Sequence, residues 1–226
     1  TAEEARFYYE ELYPYQQKML TEYGDAIDAL TAGNQAATIA YAATLQGIEN
    51  YEKKIAGQMA GAEAISLIEK KQAEEAAFRS WIAADPGRQA QYGPALAELD
   101  RMIKESLADE LAGMRRSLVG RGQLYGAARR LYRWALEQQK PDAQREPGFQ
   151  ERDRTFTTQS LQVIERRFVP EIDRALWEQC LKDYRTLPAD DRNASFDAFM
   201  EGRDLASFYS ATQLGDTAKR MEWINK

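Results

Sequence analysis

A helical period broken by proline and glycine constrains the fold more than any other feature of this chain. From Leu96 the apolar residues fall at Leu96, Leu99, Ile103, Leu107, Leu111, Met114 and Leu118, in steps of three and four that hold one stripe of an α-helix. The same spacing recurs at Leu161, Ile164 and Phe168, and again at Ile172, Leu176, Leu181 and Tyr184. No run of β-branched residues alternates with polar ones between turns, so the chain reads as all-α, an irregular multi-helix bundle. Breaks are expected at Asp85-Pro-Gly, Tyr92-Gly-Pro, Lys140-Pro-Asp, Glu146-Pro-Gly, Pro170, Leu187-Pro and Glu201-Gly. They predict helices over 2–22, 34–58, 62–83, 94–119, 123–139, 149–168, 171–186, 190–200 and 204–224, with Pro14 kinking or restarting the first. With no fixed-period repeat, low-complexity segment or long linker, residues 1–226 are expected to form a single domain.

Composition then removes whole classes of chemistry. The 226 residues contain no histidine, which excludes a Ser-His-Asp or Cys-His nucleophile pair and His-ligated zinc or haem within this chain. The one cysteine, Cys180, cannot form an intrachain disulfide or a multi-cysteine metal cluster, and no cofactor is implied. Lys and Arg number 30 against 36 Asp and Glu, a net charge of −6, which disfavours a nucleic-acid partner. The longest charge-free run, Ala29 to Ile48, carries Thr31, Asn34, Gln35, Thr38, Thr44 and Gln46, so it reads as an Ala-rich soluble helix and no membrane span is expected. No signal peptide heads the sequence, which opens in helical register as a mature or excised segment would.

Several constellations invite a chemical reading. Gly120-Arg-Gly122-Gln-Leu-Tyr-Gly126 matches a dinucleotide loop only superficially, because a helix and not a strand precedes it; close helix packing or a helix bend is the better reading. Six arginines (Arg115, Arg116, Arg121, Arg129, Arg130, Arg133) lie between Met114 and Leu136 with no acid among them, downstream of Glu98, Asp100, Glu105, Asp109 and Glu110. Such a strip either pairs with neighbouring carboxylates on solvated faces or meets an anionic ligand or partner, and charge reversal at Arg129 and Arg130 would reveal a preference for acidic substrates. The paired acids Glu3/Glu4, Glu10/Glu11 and Glu74/Glu75 read as solubilising surface, since adjacent helical residues point about 100° apart and di-iron bundles need histidine. No metal site is expected. Cys180 on its apolar stripe reads as a buried, inert thiol, and Asn193-Ala-Ser195 as a chance sequon.

Asn50 stands apart. On its helical face lie Ala43, Gln46, Gly47, Lys54, Gly57 and Gly61, a surface of mostly small residues. Glycines inside a helix cost on the order of 1 kcal/mol each relative to alanine, so something should offset them. Either another helix approaches closely, or a substrate backbone does.

Three segments around that residue, Asn50-Tyr-Glu-Lys-Lys-Ile-Ala-Gly, Ile68-Glu-Lys-Lys-Gln-Ala-Glu-Glu-Ala-Ala-Phe and Trp81-Ile-Ala-Ala-Asp-Pro-Gly-Arg-Gln-Ala-Gln-Tyr-Gly93, resemble bacterial dipeptidyl-peptidases of serine-peptidase family forty-six, the dipeptidyl aminopeptidase BII and dipeptidyl-peptidase seven and eleven type. Lys140-Pro-Asp-Ala-Gln-Arg-Glu-Pro-Gly-Phe-Gln-Glu-Arg-Asp153 and Ala211-Thr-Gln-Leu-Gly-Asp216 extend the likeness, in the family's order, over nearly the whole chain. The resemblance implies that this is the helical insert of a double β-barrel peptidase, whose triad His and Asp and nucleophilic Ser lie in barrel sequence absent here, so no catalytic residue is assigned. It implies a cap over the active-site cleft that works with the barrel of the same polypeptide, binds the peptide's N-terminus and holds the free α-amino group through the residue at Asn50. It further implies hinges near residues 1 and 226, a homodimeric parent and a periplasmic or secreted location. The competing expectation is a free-standing all-α interaction module that uses the Arg115–Arg133 basic strip.

Overall fold

Proline at the start of a helix costs nothing, because the N–H it lacks would be unpaired there anyway, and the punctuation of this chain is used in that way. In a computed structural model, which describes residues 1–225 apart from the side chains at 118 and 119, Pro86 and Pro170 each open a helix. Asp85 Oδ1 caps the first of these by accepting from Arg88 N at 2.9 Å. The helices are α1 (Ala2–Arg6), α2 (Tyr13–Thr31), α3 (Gln35–Ala64), α4 (Leu67–Ala83), α5 (Pro86–Arg116), α6 (Gln123–Glu137), α7 (Arg154–Val163), α8 (Pro170–Arg185), α9 (Ala194–Met200), α10 (Leu205–Ala211) and α11 (Thr217–Ile224). No described residue lies in a strand, and the fold is all-α. The expected positions of Leu118 on the α5 stripe and of a hinge at Lys226 fall outside the described residues.

The chain divides into two compact units, Thr1–Asp25 with Thr44–Met114, and Ala26–Ala43 with Arg115–Lys226. In the first, Thr1 closes a capping box with Glu4, and Ala2 N donates to Glu75 Oε1 at 2.8 Å, tying α1 to α4. Phe7, Leu12 and Leu107 form a core with Tyr8, Ile103, Leu111 and Met114, so the α5 stripe is buried in its C-terminal half while Leu99 is exposed. Pro14 lies in the first turn of α2, which starts beside it at Tyr13. Lacking an N–H for the carbonyl of Glu10, it follows a π-helical turn, Phe7–Leu12, in which Tyr13 N pairs with Tyr8 O, and the rod continues to Thr31. Within this unit α2 and α3 run antiparallel: Thr21 Oγ1 donates to Glu52 Oε1 at 2.7 Å, and Ile48, Ile55 and Ala62 are buried at seven-residue steps.

Two expected breaks are absent from this unit. Helix α3 runs through Gly57 and Gly61 because both keep their N–H groups while Ile55 and Ala62 hold the buried register; the chain turns at Ser66 instead, in the left-handed region at φ 46°. Helix α5 runs through Gly93-Pro94, although an interior proline costs about 3 kcal/mol. Its first turns are fastened to α4 by the Arg88 guanidinium over Trp81 at 4.4 Å, by Trp81 against Tyr92 at 6.0 Å, and by Arg79 on both oxygens of Asp100 at 2.8 Å.

In the second unit α6 buries Leu124, Ala127, Leu131 and Trp134 against Phe149, Leu161 and Ile224. Helix α8 buries Ile172, Leu176, Trp177, Cys180, Leu181 and Tyr184, the stripe read from the sequence. The expected helix over 204–224 is two helices, α10 and α11. Residues 212–216 between them leave the helix because Asp216 caps α11, accepting from Lys219 N at 3.1 Å, and Arg220 takes up the carbonyl of Leu214.

Helix α6 is capped by a residue from another element. Asp173 on α8, 1% exposed, accepts Gln123 N–H at 2.6 Å and Leu124 N–H at 3.2 Å, and the Tyr209 hydroxyl of α10 donates to it at 2.6 Å. Burial pushes its pKa above the usual carboxylate value, against the opposing pull of these hydrogen bonds. A folded-state pKa above the unfolded one gives stability that is complete below the unfolded pKa and is lost as pH rises through the folded value. Asp173→Asn should therefore flatten one component of the pH profile. The wild-type-minus-variant difference in unfolding free energy should grow as pH falls through the weakly acidic range, by at most about 1.4 kcal/mol per pH unit. A difference that stays flat in urea titrations from about pH 7 to about pH 4 would refute this.

Candidate functional site

A helix face built of glycine and alanine either receives another helix or stays open, and here it stays open. Ala43, Gln46, Gly47, Asn50, Lys54, Gly57 and Gly61 are all exposed on α3. A Cβ placed on Gly47, Gly57 or Gly61 would meet nothing within 4 Å, so close helix packing does not account for these glycines. Asn50 projects from the middle of this face and makes no side-chain hydrogen bond among the described residues. Its helix is set from the opposite side, by buried Ile48 and Ile55 and by the Thr21–Glu52 hydrogen bond.

The charges next to Asn50 are turned to the two flanks. Lys53 Nζ lies 3.3 Å from Glu49 Oε2, and Lys54 Nζ sits over the Tyr51 ring at 5.5 Å from its centroid. What remains at the centre is a neutral amide on bare backbone, chemically suited to accept hydrogen bonds from a cationic nitrogen and to donate to a carbonyl.

The other candidates are placed as follows. Cys180 is 2% exposed, and burial pushes its thiol pKa to about 11, so it is inert. Gly122 serves close packing, since a Cβ there would lie 2.9 Å from Trp177 Cγ, and the segment ends a short 3₁₀ turn, Ser117–Gly120, with no strand before it. The arginine strip is dispersed: Arg115 pairs with Asp191 at 2.7 Å, Arg130 donates to Thr157 at 2.8 Å, and Arg133 pairs with Glu146 while covering Phe149. Upstream, Glu98 and Glu105 clamp Arg101 and Glu110 receives the Tyr8 hydroxyl. Adjacent acids face different partners, Glu74 meeting Lys71 and Glu75 meeting Ala2 N. Asn193 caps α9 by accepting from Phe196 N at 3.0 Å.

Three buried charges escaped the reading of single motifs: Glu137, which accepts from Lys140 Nζ and Glu146 N, and the pair Asp173 and Arg220. The signal of the last two was an ionic residue set on an apolar stripe, Asp173 beside Ile172 and Leu176, Arg220 beside Met221 and Ile224.

Comparison with known proteins bears on the whole chain. The family model for Peptidase S46 matches residues 1–226. The Asp/Glu-specific dipeptidyl-peptidase of Shewanella putrefaciens is 31% identical over 230 residues, which cover 98% of this chain and 31% of that protein. Dipeptidyl-peptidase 7 of Porphyromonas gingivalis is 37% identical over 78 residues, 34% of this chain and 11% of that protein. The chain thus spans about a third of the length of the Shewanella relative.

Proposed function

The chain belongs to the Peptidase S46 family, and from that premise we propose that it is the helical cap of a bacterial serine dipeptidyl-peptidase that releases dipeptides from peptide N-termini. In this reading residues 1–226 form one insert between parts of a catalytic double β-barrel. The barrel supplies the nucleophile, the base and the stabilisation of the tetrahedral intermediate, while the cap counts residues from the free end of the peptide. Asn50 does the counting: its side-chain oxygen accepts from the substrate α-ammonium, which fixes how far the scissile bond lies from the terminus.

The observation that carries this reading is the open face of α3, where Asn50 stands exposed among glycines that no helix covers. A peptide lying there can approach the backbone itself. Closure of the cap about its two chain ends would complete the site, and a periplasmic or secreted homodimer is the expected setting. No described helix is long and apolar enough to cross a membrane. Because the Shewanella relative is an Asp/Glu-specific dipeptidyl-peptidase, peptides with an acidic second residue are the substrates to test first.

The test compares two preparations on one pair of substrates. The full-length polypeptide should release dipeptides from a free-amine peptide and should cleave its N-acetylated counterpart at least about 100-fold more slowly, an acetyl group removing the charge that Asn50 reads. The isolated 226-residue chain should release none from either. Turnover by the isolated chain, or equal cleavage of the acetylated peptide, would count against the proposal.

A further inference from the structure

Helix α6 carries more apolar surface than its own unit buries. Leu124, Ala127, Leu131 and Trp134 are taken up by the core, and next to them Ala128, Leu131, Tyr132 and Ala135 repeat at i, i+3, i+4 and i+7 as a second stripe. With Leu214 and Trp223 this stripe lines an open cavity of about 480 Å³, where Tyr132 is 66% and Trp223 53% exposed. We propose that this groove is the seat of the catalytic part of the same polypeptide, which packs apolar side chains onto Tyr132 and Trp223; the inference rests on the reading of the chain as a cap.

The path of the chain selects this occupant. Trp223 lies in the last turn of α11, and Ile224 after it is buried, its carbonyl accepting from Arg154 Nη1 at 3.0 Å. Arg220 fixes the same helix to the carbonyls of Leu161 and Leu214. Trp223 is thus held in place four residues before position 227, a span of at most about 14 Å even when fully extended. The match covers 31% of the Shewanella relative, so about two thirds of that protein lies outside it. In the cap reading the polypeptide rejoins the barrel past Lys226, and the barrel is therefore tethered at the groove.

Size argues against a separate partner at this groove. A stable interface between two proteins takes roughly 800 Å² and about 20–30 residues from each side, whereas eight residues line this cavity. A tethered neighbour needs less contact, because a short linkage supplies an effective concentration of about millimolar. Filling the groove would also give a cap hinged at its chain ends a preferred closed position, in which Tyr132 and Trp223 leave water.

The experiment measures maleimide labelling of single introduced cysteines in the full-length polypeptide, resolved by site with mass spectrometry, with unfolding curves confirming that each variant is folded. Tyr132→Cys and Phe156→Cys replace two rings of the same unit that are equally exposed, at 66%. Tyr132→Cys should be labelled at least about 10-fold more slowly in the native protein than in urea, and Phe156→Cys within about three-fold of its unfolded rate. Adding Trp223→Asp, which sets a charge in the groove, should raise the Tyr132→Cys rate to that of Phe156→Cys. Equal protection at the two sites, less than about 10-fold at Tyr132→Cys, or protection that survives Trp223→Asp would overturn the inference. Protection that fades on dilution would assign the groove to a second copy and overturn it too. A polypeptide that releases dipeptides while Tyr132→Cys labels freely loses this inference alone; one that releases none loses the cap reading and this inference with it.

Discussion

Asn50→Ala in the full-length polypeptide is expected to lower kcat/KM for free-amine peptides by about 10- to 100-fold, because a hydrogen bond to a charged group contributes roughly 1.5–3 kcal/mol and each 1.4 kcal/mol is tenfold. The fold should be unaffected. Asn50 is exposed, no hydrogen bond of its side chain is broken among the described residues, and substitutions of that kind stay within about 0.5 kcal/mol. The informative measurement is the ratio of kcat/KM for a free-amine peptide to that for its N-acetylated counterpart. Loss of the ammonium contact should collapse that ratio, while a general loosening of the cleft would lower both rates together. Asn50→Asp supplies a second arm: it keeps an acceptor and adds an attractive charge, so the free-amine preference should survive or sharpen. A ratio that Asn50→Ala leaves intact would move amine recognition to another residue.

Much of this architecture was legible in the spacing of apolar residues, and the exceptions have definite causes. The stripe from Ile172 to Tyr184 is buried as read, because a hydrophobic face has only one way to be removed from water. Helix ends were harder. Gly57 and Gly61 looked like a stop, yet a glycine only weakens a helix, and Ile55 and Ala62 on the buried side outweigh that. Pro94 looked like a start, yet packing between Trp81, Arg88 and Tyr92 lets α5 begin eight residues earlier, at the better-capped Asp85-Pro86. The boundary at 212–216 was only partly local: Asp216 caps α11, but Arg220, which takes the Leu214 carbonyl, is itself anchored on Leu161, 59 residues away. For the site, the residue types on one face of α3 were evident from the sequence. That no described residue covers them was not, and that fact removes close packing by another described helix as the reason for the glycines.

The largest stability effect is expected at Arg220, whose replacement by alanine should cost about 3–5 kcal/mol. Its side chain is 0% exposed and makes three hydrogen bonds: Nε to Leu161 O at 3.1 Å, Nη1 to Leu214 O at 2.5 Å and Nη2 to Thr217 Oγ1 at 2.7 Å. Burial depresses its pKa, and Glu165 and Asp216 act against that shift without a hydrogen bond to it. The guanidinium is therefore held by carbonyl and hydroxyl dipoles, and its planar fork joins α7, the 212–216 turn and the first turn of α11. This gives the segment Ala211-Thr-Gln-Leu-Gly-Asp216 a structural purpose: Leu214 N donates to Thr212 Oγ1 at 3.2 Å, Leu214 O accepts from Arg220, and Asp216 caps the helix that carries Arg220. The same turn lines an open cavity of about 480 Å³ together with Leu131, Tyr132 and Trp223. Three variants separate the contributions. Arg220→Met keeps much of the volume but strands three acceptors, so it should cost nearly as much as alanine; Arg220→Lys keeps the charge but loses the fork, and should fall between wild type and alanine. Against a typical stability of about 5–15 kcal/mol, the alanine change should bring the second unit close to unfolding at physiological temperature, visible as an early transition in thermal or urea melts. A loss below about 1 kcal/mol would mean that water replaces the guanidinium at all three oxygens, and the turn would then owe its shape to Asp216 alone.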